Sequence, residues 1–423
     1  MRIESKRTLA NIARLTGMDE QETPHFMSDA PWSGPGLIQA VQQALHQHPE
    51  FEHGALVVID ERAEAKAGGQ SAGAGRQHNG RLGKVDLSQV GVVASLVTPR
   101  MNLGIDGELF FPESWFAAEY AATRQKVGCP TARAFKTKPD LAGDLIERMK
   151  ATGVVFEAVA MDDLDGRNTP RRRRLADQHL ESYGDVPTTT VGYLDQPQIV
   201  YPLTQRGKPS KHDQIVADQR YEVRDLLHHA VIAWADLTLR PNERRHLHAR
   251  FGRCRVWTVF EGDCRSAWLL IRQHQTQVTS VLSHADPTIS LETMAWRKSH
   301  RYFVERSNQD AQGERGWDDF QAVKDLAWPH PLALTFLASW FIVLTRLDWM
   351  ARFERHPALL APYEPAVLPL LSVSNVRELL RAALPLPQLS AADAAALVVK
   401  HLTNRTRARK SRLRTNLESS FGT

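Results

Sequence analysis

The alternation of apolar and polar positions divides the chain into a mixed succession of strands and helices. Ala55-Leu56-Val57-Val58-Ile59-Asp60 is an apolar run that ends in a carboxylate. A continuous apolar run of this length predicts a strand buried on both faces. An ionised Asp at its end is costly unless a metal, a cation or strong hydrogen bonds lie near. Residues 89–98 (QVGVVASLVT) and 103–112 (LGIDGELFFP) predict two further strands, with Pro99-Arg100-Met101-Asn102 as the turn between them. Three strands with short connections predict an antiparallel meander. Residues 63–83, rich in Gly, Ala and polar side chains, are expected as a loop. They lack the Gly-Lys-Ser/Thr chemistry of a nucleotide-binding loop.

Helical spacing surrounds this meander. Leu37, Ile38, Val41 and Leu45 form one apolar face after the breaks at Pro31 and Ser33-Gly34-Pro35-Gly36. A small helical N-terminal region is therefore expected over residues 1–50. Residues 116–125 and 139–152 predict helices, the second with Leu141, Leu145 and Met149 on one face. Residues 154–162 (VVFEAVAMD) predict a fourth strand whose position after a helix implies a crossover to a parallel neighbour. It too ends in acid, at Asp162-Asp163-Leu164-Asp165-Gly166. A helix is expected over 171–180 and a fifth strand over 188–194.

From 196 to 285 the pattern changes to polar loop followed by alternating segments at 256–260, 267–271 and 278–282, which predicts a β-rich insertion. A long helix over 291–313 carries Glu305, and 331–346 predicts a buried helix. The last stretch, 351–423, is helical with a Pro-punctuated connection. The expected division is 1–50 as an N-terminal helical DNA-binding region and 51–195 as the first part of a catalytic core. The insertion follows at 196–285, the second part of the core with the Glu helix at 286–350, and a C-terminal helical region with a basic tail at 351–423.

Length and composition fit a globular protein of two or three domains: 423 residues, 42% apolar and 24% charged. The formal net charge of +5 is unevenly spread. Positive charge concentrates at 171–174, 206–211 and 405–414, which points to a polyanionic partner, nucleic acid first. Cys129, Cys254 and Cys264 lack zinc-ligand spacing, so a reducing compartment and no disulfide framework are expected. The mixed, polar first residues predict no signal peptide. The longest apolar run, 332–344, is interrupted by Thr335 and Ser339 and falls short of the ~20 residues a bilayer requires, which reads as a core helix. A soluble, cytoplasmic protein is expected, associated with the bacterial nucleoid when acting.

Two strands ending in Asp and a later helix carrying Glu are the arrangement that two-metal phosphodiester cleavage needs, with ions ~4 Å apart on the attacking and leaving oxygens. Hard Mg²⁺ accepts a few carboxylate oxygens and keeps several waters. On the predicted helix, Arg301, Glu305 and Gln312 share a face. On spacing alone a solvated Arg–Glu helix pair is the better account of Arg301 and Glu305, and an Asp at a strand end is often a turn or cap residue. Asp163 and Asp165 compete with Asp162, and Asp318 and Asp319 with Glu305. Trp268 reads as core and Trp296 stays open.

Longer words decide more. Val58-Ile59-Asp60, residues 74–77 (AGRQ), 80–86 (GRLGKVD) and 89–92 (QVGV), Pro112-Glu113-Ser114-Trp115 and Lys136-Thr137-Lys138-Pro139 run in order. Asp162 before Gly166, residues 267–272 (AWLLIR), Val304-Glu305-Arg306, Gln309-Asp310-Ala311 and residues 398–414 follow. In these motifs, from about residue 20 to 415, the chain resembles DDE-type insertion-sequence transposases, close to the insertion-sequence "701" group. The resemblance implies an α/β fold with a ribonuclease H-like mixed sheet, interrupted by a β-rich insertion subdomain and flanked by helical regions. It implies cut-and-paste transposition with two Mg²⁺ ions, for which Mn²⁺ may substitute, and Asp60, Asp162 and Glu305 as catalytic metal ligands. DNA is the implied partner, with a homodimer acting on paired element ends and no membrane. Arg301 and Gln312, with Arg405, Arg407, Arg409, Lys410 and Arg412 of the tail, are the expected DNA contacts.

Two positions depart from the family pattern. Gln312 stands where Lys is usual and brings no charge to a phosphate. Lys298 stands where Tyr is expected. These departures keep two alternatives open: a transposase-derived DNA-binding protein without strand transfer, and a plain DNA nuclease of the same fold.

Overall fold

The computed structural model describes residues 21–66, 68–80, 82–161, 166–201, 214–217, 219–241, 246–275, 277–300, 323–361 and 371–383, with isolated positions beyond both ends. Its ten main strands are β1 (Leu56–Ala65), β2 (Gly75–Asn79), β3 (Lys84–Val97), β4 (Asn102–Phe110), β5 (Ala158–Met161), β6 (Glu181–Val186), β7 (Ala233–Pro241), β8 (His246–Phe260), β9 (Asp263–His274) and β10 (Gln277–Ser283). The helices that position them are α1 (Glu22–Ser28), α2 (Gly34–His46), α3 (Ala121–Val127), α4 (Lys138–Ala151), α5 (Thr169–Asp177), α6 (Leu291–His300), α7 (Pro329–Phe353) and α8 (Val373–Ala383).

All ten strands belong to one sheet. At its centre β1 pairs antiparallel with β3 and parallel with β5, and β5 pairs parallel with β6. β4 joins the far edge of β3, beside the short β2. The order β4-β3-β1-β5-β6, three antiparallel strands followed by two parallel ones, is the ribonuclease H-like arrangement. The edge of β6 continues through antiparallel β10, β9, β8 and β7. The β-rich segment is thus an extension of the central sheet.

Alternation along β1 sends its side chains into two cores. Val57 and Ile59 pack with Leu96, Ile105, Val159 and Met161 against Leu141, Leu145 and Met149 of α4. Helix α4 starts at a capping box between Thr137 and Asp140, with Pro139 in its first turn. On the other face Leu56 and Val58 join a core with Ala158, Ala160, Tyr183, Phe251 and Leu270, to which α6 adds Met294 and Ala295. Beside them Val93 and Leu109 share a core with Trp328 and with Leu332 and Phe336 of α7. Glycine makes that contact possible: a Cβ on Gly91 or Gly104 would overlap the rings of Trp328 and Phe336.

Several sequence expectations change. The strand β1 runs on to Ala65 and residues 75–79 form β2, so much of the expected 63–83 loop is a twisted hairpin extension. The fifth core strand is Glu181–Val186, and 188–194 contributes only the pair Val191–Gly192. Helix α2 buries Val41 and Leu45 in the same core as α4, so it is built into the sheet's packing. Helix α7 is long and apolar enough to cross a membrane, yet Leu332, Phe336, Ser339, Ile342 and Val343 are buried inside this fold. The expected 291–313 helix is seen as α6 to His300, and 301–322 lie outside the described residues.

A charge network ties α4 to the sheet edge. Arg148 donates from Nε to Asp106 at 3.1 Å, from Nη2 to its other oxygen at 3.2 Å, and from Nη1 to Glu108 at 2.6 Å. Burial raises the Asp106 carboxyl above its ordinary value, and Arg148 opposes that rise. Replacing Arg148 by Met leaves a buried carboxylate without its cation. The expected loss is roughly 2 kcal/mol at pH 7, below that of a fully buried pair because the guanidinium is partly open. A raised folded pKa means stability held at low pH and lost as pH rises through it. The deficit of Arg148→Met should therefore shrink from pH 7 toward mildly acidic pH, as Asp106 takes up its proton. Urea unfolding at both pH values measures it, and a deficit independent of pH would contradict this account.

Candidate active site

Asp60 follows Ile59 directly, and Ile59 faces Met161 on β5. Asp60 itself faces Val93 on β3 and is half-buried. It continues the series Leu56, Val58 and so lies on the α6 face of the sheet. Its neighbour Glu61 takes the other face, where Lys138 of α4 pairs with it at 2.5 Å. The central strand therefore sends adjacent acids to opposite sides.

A second acid, one the sequence reading passed over, shares the face of Asp60. Gly184 of β6 is in register with Met161, so Asp185 follows that row as Asp60 does. Tyr183 belongs to the core under α6, and Asp185, two residues on, points the same way. Asp185 forms an ion pair with Lys298 of α6. Two strand spacings separate it from Asp60, about 9–10 Å. Its signal in the sequence is weak, because Glu-Ser-Tyr-Gly-Asp-Val has neither an apolar run nor clean alternation.

The end of α6 is held by more than Lys298. Arg297 is buried and pairs with Glu157 at 2.5 Å and with Glu181 of β6. Glu157 also accepts a hydrogen bond from the Gly54 amide at 2.8 Å, just before β1. Glycine sets another approach: a Cβ at Gly166 would collide with the backbone N and O of Asp185. The chain leaving the Asp162–Asp165 run is packed straight onto β6.

The basic run at 171–174 is not a surface patch. Arg171, Arg172 and Arg173 are buried and only Arg174 is exposed. Arg172 donates to the Gly166 carbonyl and to Thr169 Oγ1, the latter at 3.0 Å. Arg173 donates to the Asp263 carbonyl at 2.7 Å and pairs with its carboxylate. Burial, with Arg173 adding to it, pushes the Arg172 guanidinium down to about 10. These arginines fasten α5 to the sheet. Nearby His284 is pushed down to about 4 by burial and then by Arg172, Arg265, Arg173 and Arg255, so it is neutral at pH 7.

The remaining candidates sort as follows. Asp162, Arg301, Glu305, Gln312, Arg405, Arg409 and Arg412 lie outside the described residues. Arg407 and Lys410 of the tail are helical and exposed. Trp268 is half-buried between the guanidinium groups of Arg253 at 4.4 Å and Arg255 at 4.9 Å. Trp296 lies over His300 at 3.7 Å. All three cysteines are free, and burial pushes Cys254 up to about 12. Among the described residues no three His, Cys, Asp or Glu side chains converge as a metal set.

A family model for DDE superfamily endonucleases matches residues 2–246, more than half of the chain. The chain belongs to the DDE superfamily endonuclease family. The matched span contains Asp60 and Asp162 and ends before Glu305. The chain is also 22% identical over 333 residues to a protein of Microchaete diplosiphon described as a probable transposase for insertion sequence element IS701. That alignment covers 75% of this chain and 72% of the relative. DDE superfamily endonucleases generally use divalent metals. The half-buried carboxylate of Asp60 offers the hard oxygen donors such an ion takes.

The Gly166 contact makes a prediction for this family member. Gly166→Ala should lower stability by about 1–3 kcal/mol, because the added methyl meets backbone that cannot swing aside. Thermal unfolding of the variant reads this directly, and an unchanged midpoint would show that the Gly166–Asp185 approach is dispensable.

Proposed function

We propose that this protein is a DNA transposase that cuts at insertion-sequence ends and joins the freed ends to target DNA, with Asp60, Asp162 and Glu305 as the catalytic carboxylates. The observation that carries the reading is the placement of Asp60 in the central strand, one residue past its last pairing with β5, on the α6 side of the sheet. Asp162 follows Met161 in sequence as Asp60 follows Ile59, and those two residues are in register. Glu305 follows α6 in the sequence, five residues after His300. This donor set, oxygen atoms only, suits two Mg²⁺ ions, or Mn²⁺ in their place, which when bound supply charge stabilisation to the reacting phosphodiester.

The chain's own groups have distinct parts in this reading. The three carboxylates hold the ions and are kept from repelling one another by them. Arg301 and Gln312 hold the terminal phosphate, Gln312 through hydrogen bonding without charge. The tail cations Arg405, Arg407, Arg409, Lys410 and Arg412 contact the DNA backbone without reading sequence. The N-terminal helices and the β-rich extension recognise the element ends, and two copies act on paired ends in the cytoplasm. Neutral Gln312 motivates the second reading, a DNA-binding protein that has lost strand transfer.

A supercoiled donor plasmid carrying the element ends distinguishes them. Cleavage with Mg²⁺ or Mn²⁺ that disappears in Asp60→Asn and Glu305→Gln, while DNA binding stays, is the expected result. Unchanged cleavage by either variant sinks the assignment. Binding that survives EDTA, with no cleavage under any metal, selects the second reading. A further outcome concerns the tail: Arg407→Ala combined with Lys410→Ala should flatten the dependence of log K on log salt by roughly two. An unchanged slope in filter binding would remove both residues from the DNA contact.

A further inference from the structure

We propose that the Asp185–Lys298 ion pair, backed by Arg297 between Glu157 and Glu181, is a clamp that fixes the last turn of α6 on the sheet, and that Lys298 is thereby a positioning residue for the site at Asp60. The inference rests on the reading of Asp60, Asp162 and Glu305 as the catalytic set.

Helix α6 is held by two kinds of contact. Met294 and Ala295 bury its apolar side in the core that also holds Phe251, Leu270, Val281 and Tyr183, with β7, β8 and β9 as its nearest strands. Apolar burial is strong but non-directional, so it leaves sliding and rotation of a ten-residue helix weakly determined. The charged contacts supply the missing constraint. Arg297 and Lys298 are consecutive, so their side chains leave the helix about 100° apart. Arg297 grips Glu181 at the start of β6, and Lys298 grips Asp185 near its end. Those two acids are separated by four residues of strand, roughly 13 Å. A helix turn fastened at two points so far apart can neither rotate nor translate along β6 without breaking one of them.

The pair is also placed where it counts. Its side chains are mostly withdrawn from water, Lys298 at 10% exposure and Asp185 at 17%. Asp185 stands on the same face as Asp60, one row past the Ile59–Met161–Gly184 register. The chain beyond α6 reaches Glu305 seven residues after Lys298. The Tyr that the family resemblance leads one to expect at this position offers a neutral phenol, which could not pair as a cation with Asp185. The departure at Lys298 is thus matched by an acid on β6.

The test uses the full chain with four variants: Lys298→Met, Lys298→Arg, Asp185→Lys, and the swap Asp185→Lys with Lys298→Asp. Readouts are cleavage of the supercoiled donor over a Mn²⁺ titration, DNA binding in EDTA, and amide hydrogen exchange over residues 291–300. Lys298→Met should cleave roughly ten- to a hundredfold more slowly, as small misplacements of catalytic groups do. It should need more Mn²⁺ for half-maximal rate, exchange faster over 291–300, and bind DNA in EDTA as the wild type does. Lys298→Arg should retain most activity. The swap should recover both rate and exchange protection relative to Lys298→Met and Asp185→Lys. Wild-type cleavage and exchange in Lys298→Met overturn the proposal, as does a swap no better than the single variants, which would make Asp185 a ligand in its own right. If the wild type itself does not cleave, the functional reading fails instead, and hydrogen exchange alone decides the clamp.

Discussion

The arrangement of acids on the central sheet depends on the register of β1. That strand is hydrogen-bonded on both edges, antiparallel to β3 and parallel to β5, and covered on both faces. Side chains alternate with a period of two, so a slip of one residue would exchange its faces. Asp60 would then turn to the α4 side and Glu61 to the α6 side. What prevents the slip is Val57 and Ile59 in one core and Leu56 and Val58 in the other, since each would lose its packing at once. The same register carries across β5 to β6, which is why Asp185 falls on the row of Asp60 without any motif to announce it.

Cations that tie one element of the fold to another are matched on the spot. Arg148 has Asp106 and Glu108, Arg297 has Glu157 and Glu181, and Arg173 has Asp263. Arg172 is the case where carbonyl and hydroxyl oxygens serve in place of a carboxylate, and its guanidinium is correspondingly pushed down. These networks join elements far apart in sequence: β4 to α4, α6 to β6, α5 to β9. Apolar packing decides which faces meet, and the ion pairs decide how the meeting elements are aligned.

This division explains what the sequence disclosed. The β1 run, the β3–β4 hairpin and α4 are legible because their own residues carry apolar runs, a turn and a capping box. Strand β6 is not legible, because Glu181, Ser182, Gly184 and Asp185 are polar or small. It is a strand through its neighbours, β5 on one edge and β10 on the other. Asp60 was found by the cost of its position, whereas Asp185 is visible only through Lys298. The run at 171–174 misled for the complementary reason. Spacing along a helix cannot say which side of it a sheet covers, and here the covered side holds three arginines whose partners lie at Gly166, Pro139 and Asp263.

The β-rich segment also takes on a different meaning once β6 is placed. A segment of this length inserted between two halves of a core can hang from flexible connections or be built into the core. Here β10 pairs with β6 from Ser280–Val186 to Ser283–Tyr183, and Ser280 Oγ adds a bond of 2.7 Å to the Val186 carbonyl. Leu270 and Val281 of the extension lie in the same core as Val58 and Met294. Helix α6 therefore rests on both parts at once. An unpaired β6 edge would expose a row of backbone donors and acceptors, and β10 satisfies them. Swinging the extension away from the catalytic half would break that ladder and uncover the apolar side of α6 together. The extension and the strands that carry the acids are in this sense one mechanical unit.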